Sequence, residues 1–105
     1  MIVNAVAIEH GISPAWIRDK SMRVWHDSHP RMEAWYLIRT LLPLWTYATI
    51  GRYFGGMDHT TVMHGIRKTM KLMETDADLV ERLHDIELQM RDRIAAMTAR
   101  MESEG

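Results

Sequence analysis

The sequence predicts an all-α domain, a helix-turn-helix bundle with a long amphipathic helix at its C-terminal end. Three observations carry that expectation. Apolar residues recur at three- and four-residue steps along most of the chain, strand patterning is nearly absent, and prolines, glycines and small polar residues stand where helices would start and stop.

Ile2, Val3, Val6 and Ala7 form a short apolar face that ends at Gly11, a natural C-cap. Ser13-Pro14 then opens a short second helix carrying Trp16 and Ile17, because serine caps and proline fits the first turn. Residues 19–29 lack a period and read as a loop. Pro30 is expected to open a stronger helix with Trp35, Leu37, Ile38, Leu41 and Leu42 on its apolar side, stopped by Pro43. Thr46 caps a short helix through Tyr47, Ile50 and Phe54, which Gly55-Gly56 breaks. Asp58 caps the next, on which Val62, Ile66 and Met70 recur at four-residue steps and bury one side. From Asp76 onward one long helix carries Leu79, Leu83, Ile86, Met90, Ile94, Met97 and Met101, close to a heptad seam. A domain over 1–75 and a helix over 76–105 follow, the latter packing on the domain or associating with itself.

At 105 residues the chain suits one domain, and 47% apolar residues make it globular rather than disordered. It has no cysteine, so disulfides and thiolate zinc sites are excluded and a reducing cytoplasm fits. "MIVNAVAIEHG" has no basic leader, so a secretory signal is not expected. The net charge is −1 but unevenly spread. Residues 16–71 hold nine basic and four acidic residues, whereas 72–105 hold four and nine. A basic middle beside an acidic tail suits a polyanion partner for the middle, although two solvated helix faces would look the same.

The stretch "RYFGGMDHTTVMH", residues 52–64, carries the functional signal. Two helices joined by a tight glycine turn form a helix-turn-helix signature, in which the N-terminal residues of the second helix reach base edges in the major groove. Here those residues are Asp58, His59, Thr60 and Thr61. Histidine and threonine donate and accept hydrogen bonds, and a threonine methyl can pack on a thymine methyl. Arg67 and Lys68 lie farther along, placed for phosphate. His64 is expected to be half-buried against the preceding helix. The pair His26 and His29 in "HDSH" lies in a loop without a second ligand cluster, so no metal site is expected. No nucleophile–base pair and no paired carboxylates stand out, so neither an enzyme nor a cofactor is expected. The tryptophans and methionines read as core.

"IGRYFGGMDHTTVMHGIRK", residues 50–68, resembles the signature of the C-terminal DNA-binding domain (domain IV) of the bacterial replication initiator DnaA. "HPRMEAWYLIRTL" resembles the helix that precedes it in that family. The resemblance is strong over 46–71 and looser over the rest of 1–85. It implies a fold of the Trp-repressor/DnaA domain IV type and sequence-preferring binding of duplex DNA, with a role in replication initiation or its regulation. It makes His59, Thr60 and Thr61 base contacts, while Asp58 either meets a base amino group or only caps its helix. It sends Arg23, or failing that Lys20, into the minor groove, and gives Arg31, Arg39 and Lys68 to phosphate. The implied setting is the cytoplasm of a bacterial or phage-infected cell.

Three departures qualify the match. Met57 replaces the family's arginine before Asp58, Asp19 and Asp27 dilute the basic loop, and Met32 stands where a polar residue is usual. The chain also lacks a phosphate-binding Gly-x-x-x-x-Gly-Lys-Ser/Thr loop, as expected of a free-standing relative of the DNA-reading module. These departures leave a rival reading: a protein-interaction module, a dimer or a replication-protein partner using the 76–105 helix, that has lost tight DNA binding.

Overall fold

A computed structural model of the chain describes residues 2–19 and 28–104, with the side chains of residues 28 and 101–104 left aside. The described residues form six helices and no strands: α1 Ile2–His10, α2 Pro14–Arg18, α3 Ser28–Leu41, α4 Tyr47–Tyr53, α5 His59–Met73 and α6 Ala77–Glu104. No described helix is long and apolar enough to cross a membrane.

The boundaries follow local chemistry. At the end of α1 the Ile12 N–H closes back on the Ala7 carbonyl at 3.0 Å, just past Gly11. Ser13 accepts from the Ala15 N–H at 3.3 Å, with Pro14 in the first turn of α2. Asp76 caps α6 by accepting from the Leu79 N–H at 3.0 Å. Helix α3 begins at Ser28, two residues before the expected start at Pro30. Pro30 still falls in the first turn, where its missing N–H would have had no intrahelical partner.

Helix α3 is the hub and touches every other helix. Its Ala34, Trp35, Leu37 and Ile38 are buried among Val6 and Ala7 of α1, Ile50 and Phe54 at α4, Val62 and Ile66 of α5, and Leu83 and Ile86 of α6. The Trp35 and Phe54 rings meet edge to face, 6.0 Å apart at 88°. Packing of α5 on α3 is close because residue 65 is glycine. A Cβ there would sit 2.6 Å from the Trp35 ring and 2.9 Å from Met32 Cγ.

Several apolar residues expected inside are not. Trp16 is exposed and Ile17 alone anchors α2, while among the described tryptophans Trp35 enters the core and Trp45 only lines it. Met32 and Met90 are buried, but Met70 is 53% exposed. A four-residue step advances about 40° around a helix. Two such steps from Val62 therefore carry Met70 out to solvent, and Thr69 takes the inward place with its hydroxyl donating to the Gly65 carbonyl at 3.0 Å.

Candidate nucleic-acid interface

The turn between α4 and α5 is built around Gly51. Its carbonyl accepts from the N–H groups of Phe54, Gly56 and Met57 at 3.2, 3.0 and 2.9 Å. Gly51 itself is buried, and a Cβ on it would lie 2.1 Å from the Met57 carbonyl oxygen. Gly55 and Gly56 then take φ of 79° and 84°, a left-handed region that L side chains avoid. Buried Phe54 pins the turn to the core. The sequence therefore fixes where α5 starts and how it leaves the turn.

Asp58 caps α5, its Oδ1 accepting from the Thr60 N–H at 2.8 Å and from the Thr60 hydroxyl. His59 Nδ1 lies 3.6 Å from the same oxygen. The cap, one of the two roles open to Asp58, is made in the structure. His59, Thr60 and Thr61 are all exposed, whereas Val62, Gly65, Ile66 and Thr69 face the core. The polar first turn thus projects outward.

The outward face continues along α5. Thr60, His64, Arg67 and Lys71 follow one another at steps of four, three and four, all exposed, so they share one stripe. Lys68 is exposed beside it, one heptad after Thr61. His64 is therefore a surface residue, contrary to the half-buried position expected. The 3.6-residue period already placed it in line with Thr60.

The expected phosphate contacts divide. Arg67 and Lys68 are exposed on the same face as the first turn. Arg31 is only 8% exposed, which overturns its reading as a surface phosphate contact. Its guanidinium donates to the carbonyls of Ile17 at 3.0 Å and Asp19 at 2.6 Å, with Trp16 at 3.5 Å. It thereby caps carbonyls at the C-terminal end of α2. Arg39 serves the loop that stops α3: Nη1 donates to the carbonyls of Pro43 at 2.9 Å and Trp45 at 3.2 Å, and its guanidinium lies 5.2 Å from the Tyr47 ring. Lys20 and Arg23, expected in the minor groove, lie outside the described residues, as does His26. His29 is exposed, and no cluster of metal-ligating side chains occurs among the described residues.

Besides Lys71, two further cations escaped sequence reading. Arg52, exposed in the last turn of α4, reaches Thr49 Oγ1 at 3.4 Å. Arg18 stacks over Tyr53 at 4.1 Å and donates to its carbonyl at 3.4 Å, joining α2 to α4. Arginine beside aromatic positions is the only signal the sequence offered for that contact.

Comparison with known proteins agrees with this geometry. Residues 1–69 match the family model described as the bacterial dnaA protein helix-turn-helix. Relatives named chromosomal replication initiator protein DnaA include one from Oenococcus oeni, 45% identical over 64 residues, which are 61% of this chain and 14% of that protein. One from Cereibacter sphaeroides is 50% identical over 56 residues, 53% of this chain and 12% of the relative. One from Rhodopseudomonas palustris is 36% identical over 91 residues, 87% of this chain and 19% of the relative. The chain thus spans less than a fifth of the length of these relatives. With the family model covering most of it, and the glycine turn and capped second helix in place, the chain belongs to the family of the bacterial DnaA helix-turn-helix domain.

Proposed function

We propose that this domain binds duplex DNA with sequence preference, seating the first turn of α5 in the major groove, in the context of replication initiation or its regulation. The observation that carries this reading is the exposed turn His59, Thr60 and Thr61, held by the Asp58 cap and the Gly51-centred turn, with a basic stripe behind it. His59 and Thr61 offer hydrogen bonds to base edges, and the Thr60 and Thr61 methyls offer apolar contact to thymine. The Asp58 carboxylate at the helix N-terminus repels phosphate, so this end of α5 suits bases rather than backbone. Phosphate contact falls to Arg67, Lys68 and Lys71, with Lys20 and Arg23 supplying the minor-groove contact.

Selection of bound duplexes from a random pool tests sequence preference, and salt titration on the selected site tests the electrostatic footprint. Neutralising about three phosphates gives a log–log slope of about −2.7. A slope near zero, or a pool that yields no common site, would rule the reading out.

A further inference from the structure

Helix α2 has five residues, of which Ile17 alone is buried, too little apolar contact to hold so short a helix in place. Two arginines add to it. Buried Arg31 of α3 donates to the carbonyls of Ile17 and Asp19. Arg18, in the last turn of α2, reaches instead to α4. Its guanidinium carbon lies 4.1 Å from the centre of the Tyr53 ring, within cation–π range, and its Nε donates to the Tyr53 carbonyl at 3.4 Å. Only an arginine makes this pair of contacts, because its planar group stacks on the ring while its Nε serves the carbonyl.

Tyr53 is itself set by its neighbours. Its ring meets that of Trp45 at 5.8 Å and that of Phe54 at 5.4 Å, both edge to face. Phe54 is buried, and its N–H is one of the three that the Gly51 carbonyl accepts in the turn before α5. The end of α2 is thus tied to the residues that fix where α5 starts. Two parts of the proposed DNA surface leave from this junction. Lys20 follows two positions after Arg18, and the reading turn His59–Thr61 begins six positions after Tyr53.

We propose that Arg18 and Tyr53 are positioning residues for DNA binding. Their stack fixes the end of α2 against the end of α4, so that Lys20 and Arg23 meet the minor groove of the same duplex whose major groove the first turn of α5 reads. Neither Arg18 nor Tyr53 touches DNA in this scheme. The stack contributes preorganisation, since a segment whose root is already fixed loses less freedom on binding. The proposal rests on the DNA-binding reading above, and its test separates the two.

Fluorescence anisotropy on the selected duplex, repeated over a range of salt, is the experiment. Tyr53→Leu removes the ring and should weaken binding about 3- to 10-fold. Tyr53→Phe keeps the ring and should bind as wild type does. Arg18→Lys keeps the charge but loses the flat stack and the Nε donor, and should lose as much as Tyr53→Leu with the salt slope unchanged. The double variant Arg18→Lys with Tyr53→Leu should lose no more than either alone, because one shared contact is removed. In a chain carrying Lys20→Ala and Arg23→Ala, Tyr53→Leu should cost nothing further, whereas a general weakening of the fold would still show there. Wild-type affinity in Tyr53→Leu or Arg18→Lys, additive losses in the double variant, or a Tyr53→Leu loss that persists without Lys20 and Arg23 would overturn the proposal and leave the DNA-binding reading standing. A wild-type chain that selects no duplex would overturn both.

Discussion

Helices α5 and α6 bury the same kind of face and expose opposite ones. On α5, Val62, Gly65 and Ile66 close on α3, and the outward side is polar and basic, from His59 and Thr60 to Arg67 and Lys71. On α6, Leu79, Leu83 and Ile86 enter the same core, and the outward side of the first half is acidic. Burial therefore fixes where each helix lies and says nothing of what its outer side meets. Helix α6 also outruns the core, so its seam changes meaning along its length. Up to Met90 it is domain core, and beyond Ile94 it is surface.

The sharpest way to break that comparison is to truncate the seam at its two ends. Leu83 is fully buried, and Leu83→Ala should cost about 2–5 kcal/mol, the lost transfer energy plus the cavity left behind. Met97→Ala should stay within about 0.5 kcal/mol, because solvent already reaches half of that side chain. Urea unfolding of both variants measures the contrast. Equal losses would mean that the distal helix folds back on the domain.

The next effect concerns what ties α6 to the core apart from apolar contact. Glu33 of α3 is buried, with Oε1 3.0 Å from Arg82 Nη1 of α6 and Oε2 on His10 Nε2 of α1. One carboxylate thus links three helices. Glu33→Gln removes the charge while keeping the shape, and should destabilise by about 2 kcal/mol. Full loss of a buried pair costs more, but Arg82 is one-third exposed and can turn to water. Urea unfolding measures this too, and unchanged DNA affinity would show that the link acts on stability alone.

Much of this architecture was legible in the sequence. The caps at Ser13, Thr46 and Asp58 and the stop at Gly55-Gly56 are local chemistry, and local chemistry reads directly. The outward turn His59–Thr61 was legible for the same reason. What the sequence hid was tertiary. Arg31 and Arg39 look like surface cations, yet Arg31 donates to carbonyls at the end of α2, a need that exists only once α2 and α3 meet, and Arg39 folds onto carbonyls of the loop after its own helix. Met70 was misplaced because a four-residue spacing was read as one face although it drifts. Gly65 gave no sign of its role, since only the approach of Trp35 requires it.

The smaller effects separate reading from holding within a single turn of α5. His59 is exposed and contributes no core contact, so His59→Ala should leave stability unchanged within about 0.5 kcal/mol. On the selected DNA site it should cost about 1–3 kcal/mol, with little loss on random duplex. Asp58→Ala should do the reverse in its first effect. It removes the acceptor for the Thr60 N–H and lowers stability by about 1 kcal/mol. Because the same carboxylate repels phosphate, its removal should also bring selected and random duplexes closer in affinity, by tightening the random one. Fluorescence anisotropy on both duplexes, with urea unfolding of the same proteins, gives two affinities and a stability for each variant. If Asp58→Ala weakened the selected site as much as His59→Ala with no loss of stability, the carboxylate would be a base contact and the cap a minor part of its work.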